Sequence, residues 1–251
     1  MVFYENGKKV RYNPYDMKID KKVDNGEGLE VVVYMVGNEV VKFYKDYCGK
    51  KRLTKKECEY LSLLITQRIL LPRVSLLDKK HQIRGYKMVY IEDLGANSFY
   101  TLNREDLSKE MTFLHEDVIH LSNQHVLIED LNIENTIFHK GIYLVDPGSF
   151  RVDKSQKENN DIRIYGMNMD ILNEYLLSEV IARCCLTVSR SNRNAMMDSI
   201  KRDMKEKNMD ALTYLMDGME SDSILDLVVH KRNEVTDNNR EEAVGIQKRK
   251  K

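Results

Sequence analysis

The chain has 251 residues, 42% of them hydrophobic, with 40 Lys plus Arg against 40 Asp plus Glu. That balance gives no global charge signal for nucleic acid or a membrane surface. The apolar fraction is enough for a real core, and the length fits two packed lobes. No stretch approaches the length of a transmembrane span, and no apolar signal peptide opens the chain, so the reading is of a cytoplasmic protein with no membrane span. The four cysteines, Cys48, Cys58, Cys184 and Cys185, lack metal-ligand spacing. Cys184 and Cys185 fall in an apolar run and read as buried thiols in a reducing compartment.

In chain order, Asp24 to Gly28 is a glycine-containing turn before a β-branched run, Leu29 to Val36. Gly37-Asn38 then joins it to Glu39–Tyr44 as a tight hairpin. Gly26 and Gly28 would let the backbone approach a phosphate closely, although an ordinary hairpin turn explains them too. Lys42 stands in the apolar strand V-V-K-F, with a solvent-facing strand lysine as the alternative. Lys51 to Leu71 reads as a helix, because Leu61, Leu64 and Ile65 recur at helical spacing and Pro72 ends the run. Val74–Leu77 and Gly85–Ile91 read as strands around the polar turn 78–84.

The segment 128–150, IEDLNIENTIFHKGIYLVDPGSF, carries the most chemistry. Asp130 and Asn135 lie five positions apart in a polar loop. Thr136–Phe138 and Ile142–Val145 form a short hairpin about His139-Lys140-Gly141, which ends on Asp146-Pro147-Gly148. Two carboxylates and an amide are thereby expected at one mouth, a set suited to phosphoryl transfer around Mg²⁺. Turn chemistry alone also favours Asp and Asn at such places. Helices are expected at 167–186 and 194–219, with adaptable packing by their methionines. A polar tail, 231–251, is expected to be disordered.

The order of these motifs resembles the protein kinase-like superfamily. Asp130-Leu131-Asn132-Ile133-Glu134-Asn135 is similar to D-L-x-x-x-N, and Asp146-Pro147-Gly148 to D-F-G. Lys42 resembles the lysine of V-A-I-K. Glu57, or Glu59 as the close alternative, resembles the helix glutamate that holds that lysine. Met88–Gly95 looks like the hinge that joins two lobes, with Tyr90 and Glu92 as candidate adenine contacts. Asp161-Ile162-Arg163-Ile164-Tyr165-Gly166 resembles D-V-W-S-L-G, whose aspartate bonds the catalytic-loop backbone; a plain helix cap is the alternative.

The resemblance implies an α+β, two-lobed kinase-like fold, with an N-terminal antiparallel sheet plus one helix and a mostly helical C-terminal lobe. The domains would be 1–92 for nucleotide binding and 93–230 for catalysis. It implies ATP and Mg²⁺ as cofactors, with Gly26, Gly28, Lys42, Glu57, Tyr90 and Glu92 about the nucleotide. Asn135 and Asp146 would hold the metal, and Asp130 would be the catalytic base. The acceptor would be a hydroxyl, of a protein serine or threonine or of a small molecule; a nucleotide-binding scaffold is the non-catalytic alternative. Departures shape this expectation. Val31 replaces the third glycine of the loop, Ile128-Glu129 replace the H-R before the aspartate, and Asn132 stands where a lysine is usual. The segment 148–160 is too short for the usual activation segment, so no phosphorylation switch is expected there. Pro147 is expected to fix the orientation of Asp146.

Overall fold

The computed structural model describes residues 2–5, 7–11, 18–19, 31–44, 53–153, 155 and 160–249. Its architecture is mixed α+β, with an antiparallel sheet region at the N-terminal end and a helical C-terminal region. The strands are β1 Val2–Glu5, β2 Lys8–Arg11, β3 Lys18–Ile19, β4 Val31–Val36 and β5 Glu39–Tyr44. After helix α1, Lys55–Leu61, come β6 Val74–Leu77 and β7 Ile83–Val89. They form one seven-stranded sheet in the order β2-β1-β6-β7-β5-β4-β3.

The expected β4–β5 hairpin is present, with Val36 opposite Glu39 and Gly37 at φ 62 in the first of two turn positions. Glycine takes that left-handed conformation without a Cβ penalty. Side chains alternate across a strand, so Val41 and Phe43 share one face of β5 and Lys42 and Tyr44 the other. Phe3, Val41, Phe43 and Leu76 pack as a buried cluster on the first face, with the Phe3 and Phe43 rings stacked at 4.8 Å. The second face is covered as well: Lys42 is only 8% exposed and Tyr86, directly opposite it on β7, is fully buried. Residues directly opposite on paired strands project from the same face, which places a cation and a phenol side by side.

Helix α1 is seven residues long rather than the expected 51–71. Its start is set by a capping box: the Thr54 hydroxyl accepts the Glu57 N–H, and the Glu57 carboxylate accepts the Thr54 N–H. What keeps it from running on toward residue 71 has an identifiable cause. The carboxylate of Asp117, 3% exposed, accepts the consecutive N–H groups of Gln67, Arg68 and Ile69. Those donors cannot also serve helical carbonyls four residues back. The strand-like segment that results bridges Ile69 to Leu144. Ile65, read from sequence as part of the helical apolar stripe, is instead 87% exposed, and Leu63 nearby is 77% exposed.

Helix α2 is Asn97–Tyr100 and α3 is Arg104–Asn123, followed by β8 Val126–Leu127. The two-stranded ribbon of β9 Thr136–Phe138 and β10 Ile142–Leu144 matches the expected hairpin. Strand β11, Arg151–Val152, pairs with β8. Helix α4, Asn160–Tyr175, continues through a π-helical stretch, Leu176–Ile181, into α5, Ala182–Val188. The second expected helix is divided: α6 Arg193–Glu206, α7 Ala211–Thr213 and the π turn Tyr214–Gly218.

The segment read as a polar tail instead lies in α8, Ile224–Arg249. Ile224, Leu227 and Val228 are buried, and Lys231, 7% exposed, reaches Asp203 at 2.8 Å and Glu234 at 3.1 Å. An apolar stripe closed by a buried, paired lysine carries the helix past the point where composition turns polar.

The chain divides into two compact units. The first comprises 1–92, 117–130 and 143–168; the second comprises 93–116, 131–142 and 169–251. Within the second, Phe99, Tyr100 and Phe138 pack their rings together, and Leu94 N–H donates to the Phe138 carbonyl. Among the described residues, no helix is long and apolar enough to cross a membrane.

Gly85 is a tight point of the sheet. A Cβ there would lie 2.0 Å from the Lys42 carbonyl oxygen and 3.0 Å from Phe43 Cα. Backbone atoms cannot give way as a flexible side chain can, so Gly85→Ala is expected to destabilise the protein by about 3 kcal/mol or more. Urea unfolding checks this; an unchanged midpoint would contradict the register that places Gly85 against β5.

Candidate functional site

Lys42 extends from β5 to the end of β10. Its ammonium donates to the Val145 carbonyl at 3.1 Å and pairs with Asp146 Oδ1 at 3.2 Å. Its side chain is 10% exposed and that of Asp146 is 30% exposed. A lysine so covered needs compensating partners, and both come from the 145–146 peptide region.

The turn that Asp146 opens holds its backbone. Pro147 is buried and begins a single 3-10 turn, Pro147–Ser149, which Asp146 caps by accepting the Gly148 N–H at 3.3 Å. Proline's fixed φ and its restriction of the preceding residue hold the carboxylate's stem in one conformation. The Tyr86 hydroxyl donates to the same carboxylate at 3.1 Å. Lys42, Tyr86 and Gly148 all converge on Oδ1. The geometry thus anchors one oxygen and leaves Oδ2 as the oxygen the carboxylate presents. A Cβ on residue 148 would meet Asp146 Oδ1 at 3.1 Å and the Tyr86 oxygen at 3.6 Å, so glycine there allows this close approach.

Burial pushes the Asp146 carboxyl up. The Lys42 charge, with hydrogen bonds from Lys42, Gly148 and Tyr86, outweighs burial and brings it below the ordinary 3.8. Burial, and then the negative charge of Asp146, drives the Tyr86 phenol well above its ordinary value, so it remains a donor.

The second expected loop hangs from buried supports. Asn168, fully buried on α4, accepts the Ile128 N–H at 2.8 Å and donates to Ser122 Oγ and the Val126 carbonyl. The Ser149 hydroxyl donates to the Glu129 carbonyl at 2.9 Å, and the Glu129 carboxylate pairs with Arg151 at 3.0 Å. Beyond these tethers Asp130 is exposed and takes φ 61. A non-glycine residue in that left-handed region is strained, and such strain concentrates at functional positions.

Asn135 ends the 3-10 turn Ile133–Asn135, where its N–H donates to the Asn132 side chain at 3.0 Å. Asn132, at the position where a lysine was expected by resemblance, is therefore a turn cap. Thr136, next along, holds the Tyr175 hydroxyl at 2.7 Å. Tyr90 N–H donates to the Asn38 carbonyl, and Glu92 is exposed. Gly26 and Gly28 lie outside the described residues.

Two expectations are corrected. Glu57 is not the ion partner of Lys42: its carboxylate is taken up by the α1 capping box, and Asp146 is the carboxylate on Lys42. Asp161 does not hold the backbone of the loop that bears Asp130; it is exposed in the first turn of α4, and Asn168 two turns on bonds the Ile128 N–H. The sequence carried a signal for Asn168. It falls on the helical stripe Ile164, Asn168, Leu172, where a polar residue among buried apolar ones must have partners. Tyr86 carried none, since its meeting with Lys42 depends on strand register.

A Mg²⁺ ion would find here a pre-ionised carboxylate with one oxygen anchored and the other presented. Among the described residues no group of three or more His, Cys, Asp or Glu side chains is arranged around a metal position. That donor set fits Mg²⁺ held by one or two protein oxygens together with substrate phosphates and water, rather than an all-protein cage.

A depressed carboxyl pKa contributes stability above the unfolded value of about 3.9, and that contribution is lost as pH falls through the depressed value. Lys42→Met removes the largest lowering influence on Asp146, so its carboxyl carbon should titrate at higher pH than in the wild type by ¹³C NMR. An unchanged midpoint would show that the ion pair does not control this carboxylate. No protein-family model matches the chain, and no curated protein matches it.

Proposed function

We propose that the chain is an ATP-dependent kinase of the protein kinase-like kind, acting in the cytoplasm and transferring the γ-phosphate to a hydroxyl, with a protein serine or threonine as acceptor. The observation that carries the reading is the contact of Lys42 with Asp146. A strand lysine and the aspartate of a D-x-G turn, 104 positions apart in sequence, meet at 3.2 Å, which sets a cation suited to phosphates beside a carboxylate suited to Mg²⁺. The strained, exposed Asp130 on a buried tether supports a base held toward an acceptor. In this reading the site would take ATP with Mg²⁺, and the ion would supply charge neutralisation at the phosphates. Asp146 would hold the ion. Lys42 steers the phosphates, and Asp130 orients the acceptor hydroxyl and takes its proton.

One observation favours a second reading, a nucleotide-binding scaffold without turnover. Glu57 is engaged with Thr54, so Lys42 lacks the helix carboxylate the resemblance assigned to it. Purified protein with Mg²⁺ and γ-labelled ATP separates the two. Labelled protein, or slow hydrolysis pointing to a small-molecule acceptor, is expected from the wild type. Asp130→Asn is expected to lower turnover by about 10²–10⁴-fold with the fold intact, and Asp146→Asn to abolish it. Undiminished transfer by either variant would overturn the kinase reading; Mg²⁺-dependent ATP binding without any turnover would favour the scaffold.

A further inference from the structure

We propose that Tyr86 is a positioning residue for the metal site: its hydroxyl pins Oδ1 of Asp146 so that Oδ2 faces the nucleotide's Mg²⁺. The inference rests on the kinase reading of this site and adds a residue that the resemblance does not supply.

Strand register brings the two donors together. Tyr86 on β7 is directly opposite Lys42 on β5, so both side chains leave the same face of the sheet and reach one carboxylate oxygen, at 3.1 and 3.2 Å. The two contacts differ in kind. Lys42 is a mobile point charge that nucleotide phosphates also attract, so its hold on Asp146 weakens when it turns to them. Tyr86 is fully buried, its ring set edge-on against Tyr44 at 6.0 Å, and its rigid side chain has no comparable alternative. With Gly148 N–H it keeps Oδ1 occupied when Lys42 leaves. The carboxylate plane is thereby held with one oxygen anchored and the other presented to the ion. This also accounts for a site whose lysine lacks a glutamate on α1: the alignment comes from the sheet and the 3-10 turn.

Mn²⁺ serves as the probe, titrated by electron paramagnetic resonance into the full chain with a nonhydrolysable ATP analogue, for the wild type and the Tyr86→Phe, Gly148→Ala and Asp146→Asn variants. Urea unfolding of each reports folding separately. Tyr86→Phe is expected to weaken Mn²⁺ binding about tenfold, the usual effect of losing a partner that orients a ligand. Gly148→Ala crowds the same oxygen from the other side and should weaken Mn²⁺ binding as well. This second variant tests the proposal should Tyr86→Phe not fold. Wild-type Mn²⁺ affinity in Tyr86→Phe, with binding lost in Asp146→Asn, would overturn the role of Tyr86 and leave the kinase reading standing. Equal Mn²⁺ binding by the wild type and Asp146→Asn would overturn the kinase reading, and this inference with it.

Discussion

One carboxylate oxygen, Oδ1 of Asp146, joins three separate parts of the first unit: strand β5 through Lys42, strand β7 through Tyr86, and the turn after β10 through Gly148. None of the three contacts is local to another in sequence, yet each constrains the same atom. The sheet has to bring residues 42 and 86 opposite each other, and Gly85 permits the close strand approach that does so. Pro147 has to stop the turn from reorienting. The carboxylate is thereby ionised and oriented before any ligand arrives. Such preorganisation lowers the reorganisation left for a charged reaction.

A second set of constraints holds the loop that bears Asp130. Asn168 satisfies buried backbone groups on both sides of Leu127, and β8 pairs with β11 shortly after the 3-10 turn that Asp146 caps. Glu129 occupies the place where the resemblance would put an arginine, and it pairs with Arg151. The polarity is reversed and the partner is internal. Arg151 is 67% exposed, so this pair supplies at most about 1 kcal/mol. The buried hydrogen bonds of Asn168 and the strand pairing carry most of the support. The loop is tied to the turn after Asp146 without a phosphate group, in keeping with the short segment between that turn and α4.

The parts of the fold legible in the sequence were those set by local chemistry. Gly37-Asn38, the alternation through β5, the strand Val74–Leu77 and the 136–144 ribbon depend on turn residues and period-two patterning, and the structure has them. The parts missed depend on distant partners. Apolar spacing extended α1 to Leu71, whereas Asp117, some fifty residues on, takes the N–H groups that a longer helix would need. Composition ended the ordered chain near residue 230, whereas the Lys231–Asp203 pair continues α8. At the site, Lys42 and Asp146 were legible as a pair of motifs, but their direct contact was not. The resemblance assigned Glu57 to Lys42, and the T-x-x-E pattern beginning at Thr54, itself a readable capping signal, claims it instead.

The most direct test of the kinase reading is a crystal structure of the protein with Mg²⁺ and a nonhydrolysable ATP analogue. The expected result is an ion ligated by Asp146 through Oδ2 and by phosphate oxygens, Oδ1 still bonded to Tyr86 and Gly148, and Lys42 turned toward the phosphates. An ion bound away from Asp146, or a nucleotide that leaves Lys42 on Asp146 and touches neither, would contradict it.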